Sequence, residues 1–167
     1  MCKEIEYTIK DSAFGSVLIA KSEGGICAIL MSDESELLLD DLYVCFPDAS
    51  IREGNGTMTN IASKVVEYIE NPTGELDANL DIGGTDFQRK VWNALQNVPI
   101  GTTVSYKDIA QKLNMPNAVR AVAGACAANK LAVVIPCHRV VKSDGKLSGY
   151  RWGTDRKQKL LVLEGAI

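Results

Sequence analysis

The residue pair with the clearest chemical potential is Cys137 and His138, which are adjacent in the segment Ile135–Val141. A thiol is a poor nucleophile until a neighbouring base or cation makes it a thiolate. His138 is the single histidine of the chain, and four basic residues follow it: Arg139, Lys142, Lys146 and Arg151. A reactive cysteine in a region of positive charge indicates a polyanionic substrate.

A long apolar stretch leads into this pair. Leu131–Ile135 contains only apolar residues, and Pro136 then ends the run. A short apolar run bounded by proline is typical of a buried strand. We therefore predict that a strand delivers Cys137 and His138 in an extended conformation, with their side chains on opposite sides.

The composition is that of a globular domain with reduced thiols. The chain has 167 residues, and no apolar run approaches the ~20 residues that a membrane span requires. The amino terminus shows no apolar signal segment. Its five cysteines are scattered and odd in number, so we expect a cytoplasmic location, no metal site and no cofactor. Burial as small apolar side chains is expected for four of them: Cys2, Cys27, Cys45 and Cys126.

The net charge of −3 hides two halves of opposite sign. Residues 1–80 hold 5 Lys and Arg against 15 Asp and Glu, a balance of −10, whereas residues 81–167 hold 13 against 6, a balance of +7. A basic half in an acidic protein is typical of a localised nucleic-acid surface. The alternative is that the two halves attract each other across an interface.

The first half has the pattern of a small α/β domain. Period-2 runs separated by glycine-bearing turns predict an antiparallel meander of three strands. The strands are predicted at Ile5–Ile9, Ser16–Ala20 and Ile26–Met31. Helical patterns follow at Ser35–Phe46 and Thr59–Glu70. Residues 71–84, with three glycines and a proline, form the predicted linker.

The second half carries helix-start signals. Thr85–Gln88 and Ser105–Asp108 both have the form of a capping box. The helix that opens at Ser105 is predicted to run to Leu113, and a further helix to run from Ala118 to about Ala128. Two short helices joined by a tight turn predict a helix-turn-helix.

The second helix of that pair consists almost entirely of small residues, with Arg120 as its one charge. The ordinary explanation is a tightly buried helix. Burying Arg120 without a partner would be expensive, however, so we expect its face to be exposed. A smooth helix that presents one arginine suits shallow insertion into the minor groove of DNA.

Together these residues resemble the O6-alkylguanine-DNA alkyltransferases, also called methylated-DNA–protein-cysteine methyltransferases. Pro136–Val140 is similar to the active-site motif of that family, and Arg120–Val122 and Ala127–Asn129 match at the corresponding distances. An arginine 17 residues and an asparagine 8 residues before the cysteine make the pattern highly specific. The resemblance covers almost the whole chain and is greatest to the alkyltransferase part of the bacterial adaptive-response members.

The resemblance implies an α/β fold in two domains. Residues 1–80 would form an RNase-H-like three-stranded antiparallel sheet with helices. Residues 81–167 would form a mostly helical, winged-helix-like domain that contains the helix-turn-helix. The implied partner is double-stranded DNA containing O6-alkylguanine, approached from the minor groove by a monomer.

The implied reaction is an irreversible, stoichiometric transfer of an alkyl group from guanine O6, with thymine O4 as a further candidate. Cys137 would accept the alkyl group as a thioether. His138 would contact Cys137 through a water and be held by Glu164, in the manner of a hydrolytic triad. Tyr106 would protonate the departing guanine, and Asn129 would fix the turn beneath the site.

The resemblance also implies a DNA surface and a pocket. DNA contacts are expected from Tyr106, Ser105, Arg120, Ala121 and Ala127. Pocket residues are expected at Val140, Ser148, Tyr150, Arg151 and Trp152. Arg120 would occupy the space left by a flipped nucleotide, and we expect the indole of Trp152 to narrow the pocket and favour methyl over benzyl groups.

Two other classes of function remain open. One is a non-enzymatic module that recognises alkylated DNA, although the related alkyltransferase-like proteins lack the acceptor cysteine that is present here. The other is a cysteine hydrolase that uses Cys137 and His138. Its weakness is that adjacent side chains on an extended segment point to opposite sides.

Overall fold

The structure is a computed structural model and describes residues 3–167. Cys2, for which burial is expected, lies outside these residues. The chain forms two compact units, one ending at Ile82 and the other running from Gly83 to Ile167. Among the described helices, none combines the length and the apolar character needed to cross a membrane.

The first unit is built on a four-stranded sheet with the order β3-β2-β1-β4. Its strands are β1 (Glu4–Ser12), β2 (Gly15–Ser22), β3 (Gly25–Ser32) and β4 (Ser50–Glu53). β1, β2 and β3 are antiparallel neighbours, which confirms the predicted three-stranded meander. β4 pairs in parallel with β1 and is absent from the sequence prediction, because its four residues are mostly exposed and lack a hydrophobic run.

Two helices, α1 (Ser35–Cys45) and α2 (Gly56–Glu70), pack on this sheet. Their buried residues are Leu38 and Leu42 in α1, and Met58, Ala62, Val65, Val66 and Ile69 in α2. α2 begins three residues earlier than predicted because Asn55 caps it, with a side-chain oxygen that accepts a hydrogen bond from Thr57 N at 3.0 Å.

The segment after α2 returns to the sheet and pairs with β3. Ile26 N donates to Asn79 O at 2.8 Å, and Asp81 N donates to Ile26 O at 2.8 Å. Gly25 permits this approach, since its φ is +135° and a Cβ there would lie 2.4 Å from Asn79 O. The end of the predicted linker is therefore anchored to the sheet.

The second unit is mostly helical. Its helices are α3 (Asp86–Gln96), α4 (Tyr106–Lys112), α5 (Val119–Ala127) and α6 (Thr154–Leu163). Two short strands, β5 (Val104–Ser105) and β6 (Val140–Val141), pair in parallel. Both predicted capping boxes are present, one between Thr85 and Gln88 and the other between Ser105 and Asp108.

α4 and α5 form the predicted helix-turn-helix and pack against α3. Asn114, with φ of +58°, makes the tight turn after α4. Trp92 of α3 donates from its indole nitrogen to Ala125 O at 2.9 Å and so fixes α3 against α5. This packing sets the position of α5.

The predicted strand before Cys137 is wrong. Leu131–Ile135 is largely buried, but it forms turns in which Val133 has φ of +69°. Cys137–Arg139 then forms one turn of 3₁₀ helix. The apolar run indicates burial and not extension, because its backbone is bonded locally, for example from Ile135 N to Leu131 O at 3.1 Å.

Candidate active site

Cys137 sits on a turn that the side chain of Asn129 holds in place. Asn129 follows α5 and is fully buried. Its amide nitrogen donates to Ile135 O at 3.0 Å and to Leu131 O at 3.3 Å, and its amide oxygen accepts from Leu131 N at 2.9 Å. These bonds close the loop between α5 and the 3₁₀ turn, and they fix the backbone beneath Cys137.

His138 and Arg139 both bind the carboxylate of Glu164, which caps the end of α6. His138 Nε2 lies 2.8 Å from Glu164 Oε2. Arg139 donates from Nε to Oε1 and from Nη2 to Oε2, both at 2.9 Å, and from Nη1 to Val98 O at 2.8 Å. The side chains of His138 and Glu164 have no exposed surface. The structure thus brings together the histidine and the glutamate named from the sequence, and the histidine directly follows Cys137.

These contacts make Glu164 ionised and His138 neutral at neutral pH. Burial alone raises the pKa of Glu164, but hydrogen bonds from Arg139 and His138 outweigh it and lower the pKa from 4.5 to about 2. Burial lowers the pKa of His138 by more than the carboxylate raises it. An ionised carboxylate can only accept, so Nε2 of His138 carries the ring proton. Its Nδ1 keeps a lone pair, and this buried atom has no hydrogen-bond partner within residues 3–167.

The thiol of Cys137 is protonated at rest. Burial raises its pKa well above the ordinary value, and the hydrogen bond with Cys126 raises it further. A hydrogen bond with Asn129 and the charge of Lys157 act in the opposite direction with smaller effect. Reaction at this sulfur therefore needs a base, and the next residue, His138, has a free lone pair on Nδ1.

The 3₁₀ conformation changes how Cys137 and His138 relate. Consecutive side chains of a 3₁₀ helix are separated by roughly a third of a turn and not by half a turn, as in a strand. The geometric argument against cooperation between the two, which assumes an extended chain, no longer applies.

A cavity of about 330 Å³ opens beside Cys137. Pockets for small molecules commonly measure ~300–1,000 Å³. Eight residues line this one: Tyr106, Ala123, Cys126, Ala127, Cys137, Gly149, Tyr150 and Arg151. The cavity therefore presents two thiols and two phenols to whatever enters it.

A chain of hydrogen bonds runs from Tyr106 to a buried lysine. The hydroxyl groups of Tyr106 and Ser148 are 2.6 Å apart. Lys157 Nζ donates to Ser148 Oγ at 2.8 Å, to Val140 O at 2.6 Å and to Gly149 O at 3.3 Å. An ammonium group can only donate hydrogen bonds, so the Ser148 hydroxyl oxygen accepts from Lys157.

The two ends of this hydrogen-bond chain are a neutral phenol and a charged ammonium. Burial raises the pKa of Tyr106, which stays a neutral phenol and can donate a proton. Lys157 is fully buried, and burial lowers its pKa from 10.5 to about 8. The ammonium is therefore still charged at neutral pH, two hydrogen bonds away from the phenol.

The predicted pocket residues divide into two groups. Tyr150 and Arg151 line the cavity. Val140 and Ser148 lie behind the lining, where they hold Lys157. Trp152 is also outside the lining and packs edge-on against Tyr150 with ring centroids 5.3 Å apart. The narrowing of the cavity by the Trp152 indole is therefore not seen.

The outer face of α5 is exposed and smooth. Arg120, Ala121, Gly124 and Ala127 are exposed, which confirms the expected exposure of the arginine. A Cβ built at Gly124 would meet no heavy atom of a non-adjacent segment within 4 Å. The packing of the described residues therefore does not require a glycine at position 124.

Ser105 differs from the other predicted DNA-contacting residues because it is buried. Its hydroxyl oxygen accepts from Asp108 N at 3.0 Å and thereby caps α4. The structure therefore gives Ser105 a helix-starting role that places Tyr106 at the first position of α4.

Sequence reasoning misses Lys157 and assigns Cys126 a packing role alone. Lys157 shares a helix face with Leu160 and Leu161, at spacings of three and four residues, and all three are buried. A lysine on the apolar face of a helix is the signal that points to it. For Cys126, no comparable signal exists in the sequence.

We expect Glu164→Gln to destabilise the protein by about 3–5 kcal/mol at pH 7, because it leaves the buried Arg139 without a counter-charge. Since the pKa of Glu164 is lowered to about 2 in the folded state, its stabilising effect is present above pH 4.5 and is lost as the pH falls towards 2. Urea denaturation across this pH range measures the difference, which should shrink on acidification.

The matched control is Asp155→Asn, an exposed acid on the same helix. Its effect should stay below about 1 kcal/mol. Equal effects of the two substitutions at pH 7 would contradict the structural role of Glu164.

Comparison with known proteins agrees with this geometry. A family model described as the DNA binding domain of 6-O-methylguanine DNA methyltransferase matches residues 86–166. The chain is 47% identical over 160 residues to the bifunctional transcriptional activator/DNA repair enzyme Ada of Escherichia coli, across 96% of this chain and 45% of that protein. It is 38% identical to the methylated-DNA–protein-cysteine methyltransferase of Mycolicibacterium paratuberculosis, across 96% of this chain and 92% of that protein.

The likeness extends to solved structures. Mycobacterium tuberculosis OGT in complex with DNA matches with a TM-score of 0.78 and 32% identity, across 98% of this chain and 93% of that one. The chain spans about half the length of the Ada protein that it matches, but nearly all of the mycobacterial methyltransferase. The chain therefore belongs to the methylated-DNA–protein-cysteine methyltransferase family.

Proposed function

We propose that this chain repairs DNA directly, by moving an alkyl group from O6 of guanine in a duplex to Cys137. The observation that carries the proposal is the buried lone pair on Nδ1 of His138, the residue that follows the protonated Cys137 and is oriented by an ionised Glu164. The name of the M. paratuberculosis relative, a methylated-DNA–protein-cysteine methyltransferase, supports it.

The first half of the reaction activates the sulfur. The proton of Cys137 passes through a bridging water to Nδ1 of His138, and Glu164 stabilises the resulting imidazolium. The sulfur then attacks the alkyl carbon in line with the bond to O6. A carbon–sulfur bond forms as the carbon–oxygen bond breaks. The product is a thioether, which water does not release, so each molecule acts once.

The second half stabilises the departing guanine. As the carbon–oxygen bond breaks, negative charge develops on the purine, and the Tyr106 hydroxyl donates its proton to a ring nitrogen. The phenolate that remains lies two hydrogen bonds from the Lys157 ammonium, through Ser148. We assign Lys157 the role of stabilising this phenolate, because a fixed buried cation interacts more strongly than one in water.

The substrate must leave the base stack to reach this site. Cys137 is only 4% exposed, so a stacked guanine could not reach it and the nucleotide has to flip out of the duplex. The smooth outer face of α5 suits close approach to the minor groove. We propose that Arg120 fills the space that the flipped nucleotide leaves, with Ala121 and Ala127 against the DNA backbone.

The chemistry also suggests a compartment. A mechanism that depends on a free thiol and on chromosomal DNA fits the cytoplasm, where glutathione and thioredoxin keep thiols reduced. We propose that the chain works there as a monomer.

The decisive test is to incubate the protein with a duplex that contains radiolabelled O6-methylguanine, and to follow the label and the intact protein mass. We expect one methyl group per protein molecule, located at Cys137. Cys137→Ala should take up no label yet still bind the duplex, and Cys45→Ser is the matched control that should react normally. Binding without transfer would indicate a recognition module, and repeated turnover on an ester or amide would indicate a hydrolase.

Tyr106→Phe removes the proposed proton donor while keeping the ring. We expect methyl transfer to slow by about 100-fold or more, since general acid catalysis commonly contributes 10²–10⁴-fold. Rapid-quench kinetics with saturating duplex separate this effect from binding. A rate within about threefold of the wild type would show that another group protonates the guanine.

Arg120→Ala should impair base flipping without changing the thiol. We expect transfer from duplex DNA to slow, whereas reaction with the free base O6-methylguanine, which needs no flipping, should be unchanged. Arg89→Ala, an exposed arginine of α3, is the charge-matched control. If Arg120→Ala slows the reaction with the duplex and with the free base by the same factor relative to the wild type, the residue supports the fold of the site and does not act on the DNA.

A further inference from the structure

A second thiol lies in the cavity, and the proposed alkyl transfer does not use it. Cys126 is in the last turn of α5, and its sulfur is hydrogen-bonded to that of Cys137. Both residues line the cavity, with 8% of Cys126 and 4% of Cys137 exposed. A small solute that enters the cavity therefore meets two thiols in contact with each other.

The two thiols differ in how readily they ionise. The hydrogen bond from Cys137 lowers the pKa of Cys126 more than burial raises it, and the Lys157 ammonium lowers it further. Burial and the same hydrogen bond raise the pKa of Cys137. Cys126 is therefore the better candidate for a thiolate, and Cys137 is the thiol that keeps its proton. One nucleophile beside one protonated partner is the arrangement that stepwise thiol oxidation needs.

We infer that a peroxide entering the cavity converts Cys126 and Cys137 into an intramolecular disulfide. The inference concerns the thiol pair itself. Only its consequence for repair rests on the proposed function.

The chemistry balances in two steps. The Cys126 thiolate attacks hydrogen peroxide, so that a sulfur–oxygen bond forms, the oxygen–oxygen bond breaks and hydroxide leaves. The sulfur of Cys137, which gives its proton to His138, then attacks the sulfenic acid on Cys126. A sulfur–sulfur bond forms, and the sulfenic oxygen leaves as water after taking up that proton. Overall, two thiols are oxidised, one peroxide is reduced and two waters are produced.

The places of the two cysteines in their elements favour this bond. Hydrogen-bonded sulfurs must approach to about 2.05 Å to form a disulfide. Cys126 is one residue before the end of α5, and Cys137 is on a single 3₁₀ turn, so neither lies in the middle of a long element.

The disulfide would protect a thiol that is used only once. A sulfenic acid on an isolated Cys137 can be oxidised further to sulfinic acid, which most cells cannot reverse. A disulfide with Cys126 returns to the thiol when a reductant is present. While it persists, Cys137 cannot accept an alkyl group.

The test treats the whole chain with hydrogen peroxide, blocks the remaining thiols with N-ethylmaleimide and maps peptides without reduction. We expect the mass to fall by two hydrogen atoms and one cross-linked peptide pair to contain Cys126 and Cys137. Methyl transfer from O6-methylguanine DNA should be lost in the oxidised sample and recovered after dithiothreitol. Cys45→Ser is the control, and it should form the same cross-link.

Cys126→Ser and Cys126→Ala should form no such cross-link. Cys137 should then react with peroxide more slowly, with His138 taking its proton, and add oxygen atoms, with a loss of transfer that dithiothreitol does not reverse. Two results would overturn the inference: oxidation of Cys137 without the cross-link in the wild type, or reversible protection of Cys137 that persists in both variants. The mass measurement needs no DNA. If the cross-link forms in a protein that transfers no methyl group, the proposed function is refuted and the inference about the disulfide still stands.

Discussion

The buried carboxylate of Glu164 is the interaction on which the reactive part of the second unit depends. It accepts from Arg139 twice and from His138 once, and Arg139 also bonds to Val98 O. Glu164 thus joins the end of α6 to the 3₁₀ turn, and Arg139 links that turn to Val98, which follows α3. A buried ion pair is weak evidence for net stability, but removing one partner leaves an isolated charge and is costly. The geometry of Cys137 depends on this pair remaining complete.

The same pair also sets the ionisation of the base. A carboxylate facing His138 alone would raise the pKa of the imidazole and favour a proton on both ring nitrogens. Arg139 already neutralises that carboxylate and itself lowers the pKa of His138. Burial then keeps the ring neutral, so Nδ1 remains able to accept a proton. Burial has the largest effect on this pKa, and Arg139 adds to it, so an arginine bound to the carboxylate helps to keep the imidazole neutral.

Much of the site could be predicted from the sequence, because its chemistry is carried by residue types in one local segment. The adjacency of Cys137 and His138 is read directly from the sequence, and the capping boxes of α3 and α4 are local signals that lie where expected. The conformation of the Cys-His segment could not be predicted, since apolar runs indicate burial and leave the backbone undetermined. It depends on Asn129, whose side chain supplies bonds that a neighbouring strand would otherwise supply.

The groups that sequence reasoning misses act through partners distant in the chain. Lys157 is significant because Val140, Ser148 and Gly149 surround its ammonium, and only the folded loop brings them there. Cys126 is significant because its position near the end of α5 brings its sulfur to that of Cys137 on the 3₁₀ turn. Among the first-unit strands, β4 escapes prediction for a related reason: its pairing with β1 holds it, and its own hydrophobicity contributes little.

Gly124 lowers the stability of α5 and leaves its outer face smooth. A glycine inside a helix costs about 1 kcal/mol relative to alanine, and no neighbour of Gly124 in the described structure needs the space. Folding alone would therefore favour a larger residue at this position. The helix thus carries a glycine that lowers its own stability and that agrees with the close approach of DNA proposed for this face.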